Sequence, residues 1–270
     1  PPPGSPEEAK HQGCDFWPLA AARELDDAIL HLRFNEPDLG LIQFKTVGDP
    51  ANVVAHDGFL EAYAAHWLMR EILLLWKRVL KRIDVTARSL AALIEPGSCF
   101  AGTLAELAFA SDRSYMALGR FDGDNRPEAT LTLSPVNFGR YPMGNGLSRL
   151  ETRFLGTPEA VDTARARTGE PLDAAAAETL GLVTFAFDDI DWEDEIRIFQ
   201  EERASFSPDA LTGLEANLRF AGPESMETRI FSRLTAWQNW IFQRPNAAGP
   251  EGALKRYGTG RRPSFDAKRI

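Results

Sequence analysis

Apolar residues recur along this chain in two rhythms. Over Leu19–Arg33 (LAAARELDDAILHLR) they fall at helical spacing, with Leu25, Ile29 and Leu32 on one side. The same period predicts a long helix over Phe59–Ile83, striped by Leu60, Tyr63, Trp67, Leu75, Val79 and Ile83. Short apolar runs at Leu41–Val47, Ser89–Ile94 and Leu182–Phe187 read as buried strands, the first followed by a Gly-Asp-Pro turn. A helix is expected from about Gly102 to Ala110. Short strands at Ser114–Arg120 and Ala129–Leu133 should flank the turn FDGDNRPE. Further helices are expected around Leu147–Leu155, after the loop YPMGNG, and over Ala174–Leu180, stopped by Gly181. Three more close the chain: Asp191–Glu202, Pro208–Leu218 and Glu224–Phe242. The last carries Ile230, Phe231, Leu234, Trp237, Trp240 and Ile241, more apolar surface than one short helix buries, and is expected to pack on another subunit or another part of the protein. Strands alternating with helices imply an α/β fold, built from strand pairs rather than a strict βαβ repeat.

Composition narrows the function. The 270 residues are 44% hydrophobic and 26% charged, ordinary for a globular protein able to bury a sizeable core. A net charge of −9 argues against nucleic acid as a partner, since phosphates demand a basic face. Two cysteines, Cys14 and Cys99, make no disulfide framework, so a reducing, cytoplasmic setting is expected. The start, PPPGSPEEAKHQG, lacks the apolar core and basic lead of a signal peptide and reads as a linker over residues 1–18. No run is long and clean enough to predict a membrane span.

Chemistry concentrates in GSCFAGTLAELAF, Gly97–Phe109. A loop delivered to a helix N-terminus presents N–H groups without helical partners, which hold an anion or an oxygen that becomes negative during reaction. Glu106 lies just inside that helix. Other patterns are weaker. Asp122-Gly123-Asp124-Asn125 opens like a calcium loop, but its twelfth position is Leu133, so a turn is expected. His11, His31, His56 and His66 have no metal-ligand spacing, and no metal site is expected. Asp188–Glu195 reads as an acidic helix entry. Lys255, Arg256, Arg261, Arg262, Lys268 and Arg269 form a basic tail suited to phosphates or an acidic partner surface, with Tyr257 and Phe265 as anchors.

Five segments in order resemble the crotonase (enoyl-CoA hydratase/isomerase) superfamily. They are LDDAILHLRFNEPDLGLIQFKTVGD, SLAALIEPGSCFAGTLAELAFASDRSY, SPVNFGRYPMGNGLSRLETRFLG, GEPLDAAAAETLGLVTFAF and PEGALKRYGTGRRPSF. The resemblance implies a crotonase-like spiral of ββα units over residues 19–205, then a helical packing region with the basic tail over 206–270. It places the family's glycine triplet on Gly102, Thr103 and Leu104, so only one glycine survives. Glu106 falls on the first catalytic glutamate position, and the second falls on Pro135, which can neither give nor take a proton. The second oxyanion donor would come from near Ala55-His56-Asp57, which makes His56 a candidate. The pocket is therefore expected to be vestigial, with Glu106 an early helix residue favoured by the dipole.

The last segment, TAWQNWIFQRPNAAGPEGALKRYGTGRRPSFD, is similar to the second half of an unusually long, ring-opening lyase of that superfamily. What this implies is a diverged scaffolding and dimer-forming unit, with an N-terminal crotonase-like half as partner. The substrate would be a coenzyme A thioester of a dihydroxylated aromatic-derived ring, with no cofactor and no metal. The alternative is a self-sufficient enoyl-CoA hydratase/isomerase-type enzyme using Glu106 and an oxyanion hole at Gly102 and Thr103.

Overall fold

A computed structural model describes residues 1–268, so Arg269 of the basic tail lies outside the described residues. In chain order the elements are α1 (Pro6–Gln12), α2 (Trp17–Asn35), β1 (Leu41–Phe44), α3 (Pro50–Ala62) and α4 (Trp67–Asp84). Next come β2 (Ser89–Ile94), α5 (Gly102–Ala110), β3 (Arg113–Ala117), β4 (Leu131–Thr132), α6 (Arg149–Arg153) and α7 (Glu159–Arg165). Then follow β5 (Pro171–Leu172), α8 (Ala174–Thr179), β6 (Phe185–Phe187), α9 (Asp189–Ser205) and α10 (Pro208–Arg219). Residues 226–241 form one further continuous helix, π-helical over Arg229–Leu234.

Strands β1, β2, β3 and β6 lie side by side in that order, all parallel. Strand β2 is buried along its whole length, which is why SLAALI shows no polar alternation. A second, smaller layer joins β4 to β5 antiparallel and Ala101 to Thr132. From β2 the chain crosses to this layer at Ala101 and returns through α5. From β3 it crosses again at β4. The path is the expected spiral of ββα turns, and it delivers the N-terminus of α5 to the seam between the layers.

Three local expectations are corrected. The stretch read as a linker over residues 1–18 folds instead: Ser5 caps α1 by accepting the Glu8 N–H, with Pro6 in the first turn. Ala9 and Phe16 are buried in the main core, and the Trp76 indole donates to the Pro18 carbonyl at 2.9 Å. The helix expected over Phe59–Ile83 is two helices. Asp49 and Pro50 start α3 as cap and first residue, so Gly-Asp-Pro is a helix entry as well as a turn. The break at residues 63–66 resets the helical phase. Hence Tyr63 and Trp67 of the expected stripe face outward, while Met69, Ile72, Leu73, Trp76, Val79, Leu80 and Ile83 form the buried face of α4. Finally, the strands expected over Ser114–Arg120 and Ala129–Leu133 shorten to β3 and β4, which sit in different layers.

Helix α10 is bolted to the sheet by charge. Arg219 donates to both oxygens of Asp112, at 2.7 and 2.6 Å, and to the carbonyls of Thr86 and Arg88, while Glu215 accepts from Ser89 Oγ. Leu218 near its end, and Met226, Phe231 and Leu234 beyond it, are exposed on this chain. No helix among the described residues is long and apolar enough to cross a membrane.

The N-terminal packing has a direct test. Phe16→Ala should lower the unfolding free energy in urea by about 3–5 kcal/mol, the usual cost of emptying a buried phenylalanine site. A change within about 0.5 kcal/mol would mean that the segment contributes no more than a surface linker.

Candidate active site

The N-terminus of α5 is built around Gly102, whose φ of +45° lies in the left-handed region. A Cβ there would stand 1.9 Å from Asp57 Oδ2 and 3.0 Å from Ser134 Oγ, so glycine is required by both conformation and space. What fills that space is a carboxylate. Asp57, on α3, accepts the Thr103 backbone N–H at 2.8 Å on Oδ2 and the Thr103 hydroxyl at 2.5 Å on Oδ1. Ser134 Oγ adds a longer donation at 3.4 Å. Thr103 Oγ1 is also placed to donate to the Tyr141 hydroxyl at 3.2 Å, so its one proton has two acceptors to choose between.

Glu106 is equally committed. Asn137 Nδ2 donates to its Oε1 at 2.7 Å and to the Gly102 carbonyl at 2.9 Å. Arg149 Nη1 donates to Oε2 at 2.8 Å, while its Nε and Nη2 grip Asp84 at 3.1 and 2.8 Å. Glu106, Arg149 and Asp84 are each only 2% exposed. One guanidinium between two carboxylates leaves an excess of negative charge in a dry place. Burial therefore pushes Glu106 and Asp84 above the ordinary carboxylate range, opposed by Arg149. Burial alone would pull Arg149 down, but Asp84 and Glu106 together outweigh it and hold the guanidinium charged. Asp57 follows the same rule: burial pushes its carboxyl up to about 7, against the hydrogen bonds from Thr103 and Ser134.

The sequence-predicted residues divide accordingly. Gly102, Thr103 and Glu106 do meet at one seam. Pro135 is exposed, as the first residue of a short 3-10 helix capped by Ser134, and its neighbour Asn137 reaches Glu106 instead. His56 does not serve the loop. It lies past the first turn of α3, its Nδ1 is 2.7 Å from the Asn52 carbonyl, and its ring packs on Trp17. The adjacent Asp57 makes the contact to Thr103, as an acceptor where an oxyanion donor was expected. Asn137 is signalled by the Ser-x-x-Asn spacing of a capping box. Arg149, Asp84 and Tyr141 carry no local signal, because their partners are distant in sequence.

The other candidates have plainer places. Asp124 is gripped by Arg126 across the Asp122–Asn125 turn. Asp188 caps α9. Arg256 pairs with Glu251, while Lys255, Arg261 and Arg262 are exposed. Phe265 is partly buried and lines a cavity with Phe206 and Pro208, and Asp266 is held through its backbone by Asn246. Tyr257, expected as an anchor, is 90% exposed.

Taken together, the spiral and the α5 seam define a crotonase-like fold. Crystal structures with this architecture include the enoyl-CoA hydratase of Bacillus anthracis, with a TM-score of 0.64, 16% identity, and 93% of this chain and 90% of that one covered. An enoyl-CoA hydratase/isomerase of Cupriavidus metallidurans gives 0.63 and 20%, covering 93% and 87%. In sequence, the chain is 54% identical over 263 residues to the benzoyl-CoA-dihydrodiol lyase of Aromatoleum evansii. That match covers 97% of this chain and 46% of the lyase, so the chain spans about half the length of that relative. No family model matches the chain.

Two outcomes check this electrostatic account. Arg149→Met strands two buried carboxylates and should cost about 3–5 kcal/mol by chemical denaturation, against little for the exposed Arg165→Met. The second concerns pH. A carboxyl whose folded pKa lies above its unfolded one binds more protons in the native state, so its contribution falls as pH rises from about 4, the unfolded value, to the folded value of about 7. Asp57→Asn should remove this share of the decline in stability across that window. An unchanged slope would show that Asp57 does not titrate there.

Proposed function

We propose that the chain is the non-catalytic, scaffolding C-terminal part of a benzoyl-CoA-dihydrodiol lyase. In this reading the longer protein cleaves the ring of 2,3-dihydro-2,3-dihydroxybenzoyl-CoA without oxygen, during aerobic benzoate degradation in the cytoplasm. Its reacting site belongs to an N-terminal crotonase-like half. The observation that carries the proposal is the Asp57 carboxylate on the Thr103 N–H. A thioester oxygen that gains negative charge needs that donor free and positive surroundings. Here the donor is occupied, and by a group whose ionised form would repel the developing charge.

Acid–base chemistry lacks its parts as well. Hydration-type steps use two carboxylates flanking one water. Glu106 is sealed between Asn137 and Arg149, and Pro135 stands where the second carboxylate would be. The similarity to the lyase over 97% of this chain supports the assignment to that protein. The exposed apolar residues from Leu218 to Leu234 support a packing role, against the other half or a second copy in a homodimer.

The experiment uses Glu106→Gln in the longer lyase, because glutamine keeps the side chain's size and an acceptor for one of Asn137 and Arg149. It should leave kcat/KM within about twofold, whereas loss of a general acid or base costs about 100-fold or more. The chain alone should show no saturable binding of the benzoyl thioester of N-acetylcysteamine, which presents the reacting group without coenzyme A's phosphates. A 100-fold loss in the first assay, or binding in the second that Gly102→Val abolishes, would instead favour the self-sufficient enzyme.

A further inference from the structure

A cavity of about 490 Å³ lies at the opposite end of α5 from Thr103, walled by Phe109 and Ala110, by α6 and by α10. Its charged lining is uneven. Five arginines (Arg113, Arg149, Arg153, Arg203 and Arg219) face three carboxylates (Asp84, Asp112 and Glu215). Three of the arginines are matched: Arg149 to Asp84, Arg219 to Asp112, and Arg203 to Glu215 at 3.3 Å. The other two have no carboxylate partner among the described residues. Arg153 gives only its Nε, to the Gly181 carbonyl at 2.6 Å, and its two Nη groups have no hydrogen-bond partner among the described residues. Arg113 lies over the rings of Phe199 and Phe185, at 5.2 and 5.8 Å from their centres, and bonds the Tyr115 hydroxyl rather than a carboxylate. Beside Arg153, the hydroxyl of Thr152 is buried in the same wall without a partner.

The carbonyl end of α5 offsets only a fraction of a charge, about half a unit. Arg153 and Arg113 are partly buried, and a guanidinium with no acid beside it is well placed to meet an anion. The free fork of Arg153, a second cation and an unpaired hydroxyl form a donor set suited to several oxygens on one centre.

We propose that this cavity is an anion site that takes a phosphoryl group, either free phosphate or the phosphomonoester of a small molecule, through Arg153, Arg113 and Thr152. It is separate from the Asp57–Thr103 seam and does not depend on the functional assignment above.

The probes are inorganic phosphate and adenosine 3′,5′-bisphosphate, each titrated calorimetrically into the chain at constant ionic strength in chloride. Saturable binding of at least one is expected, with a rise in Tm at saturation. Tighter binding of phosphate would assign the free ion, and tighter binding of the bisphosphate an esterified ligand. Arg153→Gln should weaken the preferred probe at least about tenfold, as loss of a bidentate charged contact does. Arg165→Gln, outside the cavity, should change nothing. Should Arg153→Gln fail to fold, Thr152→Val takes its place and should weaken binding severalfold. Absence of saturable binding by both probes, or unchanged affinity in the folded cavity variant, would overturn the proposal.

Discussion

Arg149 is the charge on which the middle of this molecule turns. It enters from α6 and grips Asp84 at the end of α4 and Glu106 inside α5, with all three side chains almost wholly buried. Such a cluster is weak evidence for net stability, because desolvation consumes most of the Coulombic gain. Its effect is on arrangement. A guanidinium fork satisfies two carboxylates only when three helices take one mutual position, and any slip leaves a bare buried charge. The same Arg149 Nη1 also donates to the Tyr141 carbonyl, so the loop over α5 is held by the same side chain.

That clamp also fixes the surroundings of the α5 N-terminus. Glu106 is the counter-ion of Arg149, and the donor beside it is taken by Asp57. The two carboxylates are anchored by different partners, Asp57 by Thr103 and Ser134, Glu106 by Asn137 and Arg149. The approach of Asp57 by itself demands a glycine at position 102. A retained glycine in such a loop therefore has two explanations, and only the neighbouring atom distinguishes them.

Charge also sets the boundary between the spiral and its helical extension. Arg219 reaches Asp112 and two backbone carbonyls of the 86–88 turn, which ties α10 to the sheet edge. Between these ties and α6 the chain leaves a cavity with more arginine than acid. Beyond them, the 226–241 helix offers apolar side chains to the outside. The two halves of the C-terminal region thus face different tasks, one polar and inward, the other apolar and outward.

Local pattern determined much of this. The strand Ser89–Ile94 and the helix Gly102–Ala110 follow from an unbroken apolar run and a glycine-led helix entry, and both are found at those bounds. Capping explains why Asp188 and Ser134 sit where they do, since a cap and its helix are neighbours in sequence. Local signals fail where a short break resets a helical phase, as at residues 63–66, or where a proline-rich start conceals a cap, as at Ser5. The candidate site was only half legible. Glycine, threonine and glutamate lie within five positions, but Asp57, Tyr141 and Arg149 are 46, 38 and 43 residues from their partners. Sequence alone determined that a loop fit for an anion enters α5. Only the tertiary structure decided that the anion is the chain's own carboxylate, because a hydrogen bond depends on distance in space and not on separation along the chain.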